Sequence, residues 1–350
     1  MSGLEGVVVA DTRLSEVDGE RGRLIIAGHD VERLEVPFEG ACALLLGDDE
    51  KVWRERLAKA RVDAFGRLDR LGDALERADG MDALRAGIAH LPGETGVAGV
   101  IGAFPVVVSA WVRRRRGLAP VAPDPSLGQA ADFLKMLDGE TPSAARVAGL
   151  DAYLVTVSDH GMNASTFTAR VVASTGSDLV SSVVAAIGAL KGPLHGGAPG
   201  PVLDMLDAIG APDRAEEWLE GELAAGRRIM GMGHRIYRVR DPRAAVLERA
   251  IERFEKSASS TGRLRLARAV ERAAVGVLRT RHPNRPLQAN VEFYTAVLLD
   301  ALGLPRSAFS PTFAVGRSIG WCAHVAEQRQ EGRLIRPASR YIGVMPEARS

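Results

Sequence analysis

From Gly96 to Val112 the chain reads GVAGVIGAFPVVVSAWV, 17 residues without a charge, followed at once by Arg113, Arg114, Arg115 and Arg116. A stretch this apolar has to be withdrawn from water on every side. A bilayer does that for spans of about 20 residues. This stretch is shorter, carries Pro105 at its centre and is the only one of its kind in the chain. It reads as a buried, proline-kinked helix in the core of a soluble protein. The arginine run is then its solvated end, where cations meet the negative pole of the helix dipole, or a contact for a ligand phosphate.

A helix buried all round needs other helices around it, and the rest of the chain supplies them. EKVWRERLAKARVDAFGRLDRL, QAADFLKMLDG, PVLDMLDAIG, RAEEWLEGELAAG, PRAAVLERAIERFEKS and GRLRLARAVERAAVGVLRTR all space apolar residues by three and four, which is the amphipathic helix pattern. Strand signals are confined to GVVVADTRL and GRLIIAG, joined by DGERG, which read as a small N-terminal hairpin. The expected class is mainly α. With 350 residues and 46% hydrophobic content, the chain buries a large core as one big domain or two unequal ones. Capping chemistry places three helix starts: Asp241 before Pro242, Ser310 before Pro311, and Asn290 with Glu292 in the first turn.

The formal net charge of +1 leaves no global field for nucleic acid or membrane surfaces, so neither is expected as a partner. The two cysteines, Cys42 and Cys322, offer no metal spacing and no disulfide framework, which suits a reducing cytoplasm. The N-terminal MSGLEGVVVADTRLSE lacks a basic region and does not read as a secretory signal.

Chemistry is suggested by histidines set among glycines and arginines. In KGPLHGGAPG, His195 stands at a loop-to-helix junction, beside the orphan N–H groups of a helix start. A flexible connection with an incidental histidine is the other reading. IMGMGHRIYRVRDPRA repeats the arrangement, with Gly231 and Gly233 ahead of His234, and adds Arg235, Arg238, Arg240 and Arg243. Such glycines allow close backbone approach to a ligand, and guanidinium forks suit carboxylates or phosphates. A solvated basic face accounts equally well for Arg235 and Arg240. VSDHGMNASTF gathers Asp159, His160, Asn163 and Ser165. FAVGRSIGWCAHVAEQ sets Arg317, Trp321 and His324 on one otherwise apolar helix face, where the arginine needs a partner and the histidine reads as a core residue with a local hydrogen bond.

In this order and spacing, these motifs resemble the citrate synthase family of the short bacterial type. The resemblance runs from GLEGVVVADTRLSEVDGERGRLIIAGHDVERL through DHGMNASTF, GPLHGGA, GMGHRIYRVRDPR, NVEFYTA and GRSIGWCAHVAEQ to RPASRYIG. It implies a nearly all-helical fold with a large domain, residues 1–197 and 303–350, and a smaller inserted one, residues 198–302. It implies an acyltransferase that condenses acetyl-CoA with oxaloacetate to citrate and CoA, through an enol and citryl-CoA, as a homodimer with no metal and no permanently bound cofactor. Weakly acidic methyl protons need a base on carbon and a donor on the thioester oxygen at the same time. By resemblance Glu292 is the base, His195 the donor, and His234 the group that polarises and then protonates the ketone oxygen. His160, Arg243 and Arg317 match oxaloacetate ligands, and Arg336 matches an arginine reaching in from the partner subunit. Met230, Gly231, Met232 and Gly233 resemble the segment that meets the CoA adenine, and Arg238 a phosphate-binding position.

Two positions depart from the family pattern. The base is usually aspartate, in NVDFY, where this chain has Glu292, one methylene longer; and Val157 stands where many members carry a histidine. The first departure leaves room for a catalytically weak paralogue that binds an acyl-CoA or a dicarboxylate. A 2-methylcitrate synthase taking propionyl-CoA is a further alternative, since one methylene in an acyl pocket leaves no motif.

Overall fold

The computed structural model describes residues 4, 6–195, 199–258, 263–283 and 287–345 of the chain. The uncharged stretch forms α4, Val97–Arg115, and it is a core helix. By length and composition it is apolar enough to cross a membrane, but here most of it is buried inside the protein. It is enclosed by α2 (Glu50–Phe65), α3 (Gly80–Ala89), α5 (Gln129–Asp138) and α14 (Phe309–Glu331). Pro105 lies in mid-helix and cannot donate to the carbonyl of Ile101, four residues back. The buried Gln129 side chain on α5 reaches that carbonyl instead, with Nε2 at 3.4 Å. At the other end Arg113 donates to the carbonyls of Ala119 and Leu137, so the first of the four arginines caps the turn while Arg114 to Arg116 stay on the surface or close to it.

Around this centre stand α1 (Phe38–Leu46), α6 (Ala144–Thr156), α7 (Ala164–Ala173) and α8 (Leu179–Lys191). A second group holds α9 (Pro199–Ile209), α10 (Ala215–Ala224), α12 (Arg263–Arg281) and α13 (Val291–Ala301). Helix α11 (Pro242–Ala258) packs on α13 of the second group and also on α6 of the first. One continuous hydrophobic core, from Leu24 to Val325, runs through both groups. Each amphipathic pattern named above forms a helix in the structure, except that the first stops at Phe65, after which GRLDRL holds only a 3-10 turn over Leu68–Arg70.

Two local expectations need correction. Ser310 does not cap α14: the helix starts at Phe309, continuing a 3-10 turn over Arg306–Ala308, with no side-chain cap. Pro311 is accordingly the third helical residue, where a missing N–H still costs no intrahelical bond. The first strand falls later than the valine run suggests. The antiparallel sheet is β1 (Ser15–Asp18), β2 (Arg23–Ile26) and β3 (His29–Asp30), with Asp18 opposite Arg23 and Ser15 opposite Ile26. The turn sets that register. Gly22 has φ +63° and Arg21 N donates to Asp18 Oδ1 at 3.0 Å, so pairing counts outward from Asp18 and leaves Val7 and Val8 exposed before the sheet begins.

The crossing of α14 over the end of α6 positions the chemistry below. Gly316 and Gly320, one turn apart, let the helices touch: a Cβ on Gly320 would lie 2.3 Å from the Ser158 carbonyl oxygen and 2.6 Å from Asp159 Oδ1. Gly320 N instead donates to Ser158 O at 3.1 Å, and Arg317 Nε to Val157 O at 2.6 Å. Val157 is buried in this crossing. Since the obstacle to a side chain here is backbone, Gly320→Ala is expected to cost about 3 kcal/mol or more. It is also expected to push the 157–160 loop out of place, seen as a lower Tm.

Candidate active site

The loop after α6 carries Asp159 and His160, both buried. Two contacts pin its flanks. Ser15 of β1 donates its hydroxyl to Asp159 Oδ2 and accepts the N–H of Gly161 at 2.9 Å. Behind Asp159 lies His324, fully buried, whose Nδ1 is 2.8 Å from Arg170 Nη1 and whose Nε2 faces the Asp159 carboxylate at 3.2 Å. Arginine can only donate, so His324 Nδ1 accepts and Nε2 carries the proton toward Asp159. His324 is thus the core histidine the sequence suggests, bracing the loop from behind.

Past the loop, Asn163 caps α7 by accepting the N–H groups of Ser165 and Thr166, each at 3.1 Å. The capped turn presents Ser165 Oγ, which takes the indole N–H of Trp321 at 3.1 Å and stands 2.8 Å from His195 Nε2. Asn163 Oδ1 also lies 2.8 Å from Oγ, but it already holds two backbone bonds, which favours giving the hydroxyl proton to His195. His195 then keeps its own proton on Nδ1. Burial, with Arg317 nearby, lowers its pKa to about 4, so the ring is neutral at neutral pH. Gly196 and Gly197, the next two glycines of the motif, lie outside the described residues.

His234 is built from the opposite side. Residues 231–233 run antiparallel to 288–290: Gly233 N donates to Gln288 O at 2.7 Å, Asn290 N to Gly231 O at 2.9 Å, and Asn290 Nδ2 to Gly233 O at 2.8 Å. Gly231 and Gly233 have φ of +73° and +85°, and a Cβ on either would meet Phe293 or Leu287 at about 2.9 Å. These glycines therefore serve close packing against the start of α13, not only approach to a ligand. The stitched pair carries His234 just past Gly233, and Glu292 follows two residues beyond Asn290, whose side chain caps α13. The N–H groups of Ile236 and Tyr237 both donate to His234 Nδ1, at 3.0 and 3.2 Å, which places the proton on Nε2. Burial and then the charge of Arg243 lower this pKa to about 4 as well.

Asp241 does more than its capping role suggests. It accepts Arg243 N at 3.0 Å, holds the Arg243 side chain through Nε at 3.0 Å and Nη2 at 2.7 Å, and accepts the N–H of Val291 at 3.2 Å. One carboxylate thus fixes α11, α13 and the guanidinium at once. Arg243 and Arg317 are both buried and close enough to act on each other; burial first, with Arg243 also opposing, draws Arg317 down to about 10. Burial raises Glu292 to about 7, against the lowering pull of Arg243. Glu292 Oε2 is buried and has no hydrogen-bond partner among the described residues. His160, held neutral by burial, is acted on by Arg243, Arg317, His234 and His195 together. Its Nε2 lies 3.1 Å from the hydroxyl of Tyr237, whose ring packs 4.8 Å from that of His234.

The structure therefore brings His160, His195, His234, Arg243, Glu292 and Arg317 into one cluster, with His160, Arg243 and Arg317 buried and His195, His234 and Glu292 half-buried. Arg336 is not among them. It is exposed on the extended tail after α14, which is tied down where Ile335 N meets Ser174 Oγ at the far end of α7 from Ser165. Met230 and Met232 are half-buried beside the His234 loop, and Arg238 is exposed, its N–H bound to Gly19 O at 3.0 Å. Arg240 corrects the reading of a solvated basic face. It is clasped by Glu248 and Glu271 and lies 5.1 Å over the Tyr294 ring, whereas Arg235 is exposed. Tyr237 and the wider role of Asp241 escaped the sequence reading. The signal for Tyr237 was its place three residues after His234. Two cavities of about 320 and 270 Å³ lie elsewhere and contain none of the cluster.

The cluster is an array of two guanidinium groups, three neutral imidazoles and one carboxyl poised near neutrality, suited to a dianion and to a proton on carbon. The model of the citrate synthase C-terminal domain family matches residues 3–338. The chain belongs to the citrate synthase family. It is 37% identical to the citrate synthase of Haloferax volcanii, covering 97% of this chain and 95% of that protein, and 38% identical to a 2-methylcitrate synthase of Mycobacterium tuberculosis, covering 97% and 90%. Among solved structures it resembles the citrate synthase of Thermotoga maritima, with 33% identity, 98% and 96% coverage and a TM-score of 0.85. It also resembles a Thermoplasma acidophilum citrate synthase in a ternary complex with carboxymethyl coenzyme A and oxaloacetate, with 26% identity, 99% and 97% coverage and a TM-score of 0.85. As a citrate synthase family member the chain is an acyltransferase enzyme, and its mainly α fold is the family fold.

Proposed function

We propose that the chain condenses oxaloacetate with the methyl carbon of acetyl-CoA, with the clustered residues in these roles. Glu292 Oε2, buried and without a partner among the described residues, takes a methyl proton, and the Nδ1–H of His195 stabilises the enol oxygen of the thioester. The enol carbon attacks the ketone carbon of oxaloacetate. His234 Nε2–H, the only proton its backbone bonds leave it, polarises that ketone and is given to the new alkoxide. Water then splits citryl-CoA into citrate and CoA. Arg243, Arg317 and His160 receive the two carboxylates of oxaloacetate. The single observation that carries the reading is that a carboxyl oxygen with no partner among the described residues and a proton-fixed imidazole both stand within the field of the buried Arg243 guanidinium.

Residues 230–233 and Arg238 are assigned to CoA; the exposed guanidinium of Arg238, without an ion-pair partner among the described residues, supports a phosphate contact. Residues 198–302 act as the smaller domain, closing on the rest of the chain to exclude water. Arg336 belongs to the neighbouring subunit's site in a homodimer. Supporting this, the tail that carries it leaves Tyr341, Ile342, Val344 and Met345 exposed, an apolar run that a second copy would cover. Light scattering at twice the chain mass checks it. CoA enters as a substrate, and side chains fill every chemical role, which supports a reaction without a resident cofactor. Two buried free thiols, Cys42 and Cys322, support a reducing cytoplasmic setting.

Release of free thiol from acetyl-CoA, dependent on oxaloacetate, tests the reaction; no release above buffer at any pH defeats it. The same assay with propionyl-CoA at equal concentration decides the acyl donor, since one methylene is worth about 1–3 kcal/mol. The pH dependence has a definite sign. Glu292 acts as carboxylate, so kcat/KM is expected to fall about tenfold per unit below a midpoint near 7 and to level above it, while His195 and His234, lowered to about 4, stay neutral over this range.

A further inference from the structure

We infer that Tyr237 is a positioning residue for oxaloacetate: its hydroxyl donates to His160 Nε2 and thereby obliges His160 to carry its proton on Nδ1, as a donor. The inference rests on the reading of His160 as an oxaloacetate ligand.

The geometry is specific. Tyr237 is 3% exposed and its hydroxyl lies 3.1 Å from His160 Nε2. Its ring meets those of His160 and His234 at 5.6 and 4.8 Å between centroids, and the Arg243 guanidinium lies 6.0 Å from its centre. A phenol has one proton to give, and a neutral imidazole has one donor and one acceptor. If His160 donated through Nε2, its Nδ1 lone pair would be left for the substrate, and a lone pair repels a carboxylate. If Tyr237 donates, the free nitrogen bears a proton, which a carboxylate attracts. Arg243 and Arg317 both act on His160 and disfavour the imidazolium, so the neutral ring must be given the right tautomer by a neighbour.

Backbone supports the phenol. Residues 236–240 rest on the β1–β2 turn: Arg238 N donates to Gly19 O at 3.0 Å, and a Cβ on Gly19 would lie 2.4 Å from the Ile236 carbonyl oxygen. The same sheet holds both flanks of His160 through Ser15. Donor and acceptor are thus registered to one small platform, which suits a hydrogen bond of fixed direction.

The test compares Tyr237→Phe, His160→Asn and the double variant by thiol release, with oxaloacetate and acetyl-CoA varied separately. Tyr237→Phe is expected to raise the KM for oxaloacetate about ten- to a hundredfold. The KM for acetyl-CoA should stay within about threefold, and the phenol's removal should have no further effect in the His160→Asn background. Nitrogen-15 NMR of the histidines should show the His160 proton on Nδ1 in the parent and a mixture in Tyr237→Phe, His160→Asn identifying the signal. An unchanged oxaloacetate KM in Tyr237→Phe overturns the inference; if His160→Asn still raises it, the reading of His160 stands. If His160→Asn leaves that KM unchanged, both fall. Equal loss in both substrates' KM, or an Nε2 proton in the parent, also overturns it.

Discussion

Replacing Glu292 by Gln is expected to lower kcat by about a thousandfold or more while raising thermal stability above pH 7. The amide keeps the shape of the acid but takes no proton from carbon, and a positioned general base contributes roughly 10²–10⁴. The stability gain follows from the same burial. Glu292 is half-buried, with its Oε2 withdrawn from solvent, and its pKa is raised from the ordinary 4.5 to about 7, so the folded protein favours the protonated acid. That stabilisation is complete below about pH 4.5 and is lost as pH rises through 7, where a shift of this size is worth ~3 kcal/mol. At pH 8 the parent carries a buried carboxylate and the Gln variant does not. Melting curves at pH 5 and pH 8 check this: the variant should gain at pH 8 only. Glu292→Asp separates an adjusted site from a makeshift one. Drawing the carboxyl back by one methylene is expected to cost on the order of a hundredfold in kcat if the loop is built for glutamate. A Gln variant as fast as the parent would show that Glu292 is not the base.

The second large effect is at Asp241. Truncation to Ala leaves the Arg243 guanidinium buried without its carboxylate and releases Val291 N at the head of α13. Uncovering one member of a buried pair costs about 3–5 kcal/mol, which for a chain of this length lowers Tm by roughly 4–7 °C. Oxaloacetate offers that guanidinium a new carboxylate, so it should raise the Tm of Asp241→Ala by more than it raises that of the parent. Equal shifts would show that Arg243 does not meet the ligand.

The sequence by itself determined α2, α5 and α9 to α12, because each carries its own spacing of apolar residues, and α4, because its apolar run is unbroken; it also determined the caps at Asp241 and Asn290, whose oxygens bond N–H groups two residues away. It also pointed to the side chains of the cluster, through the resemblance of their motifs to those of the citrate synthase family. Strand register was less legible: the valines before Ser15 have the right propensity, yet pairing is counted from the turn at Gly22. What only the tertiary structure decided is how those side chains are protonated and held. The proton on His234 is set by two local backbone N–H groups, and the one on His195 by a serine held between Asn163 and Trp321. The acidity of Glu292 and the pairing of His160 with Tyr237 come from burial and from groups far apart along the chain. Hydrogen bonds and desolvation act over a few ångströms in space, and residue spacing carries little information about distances of that kind.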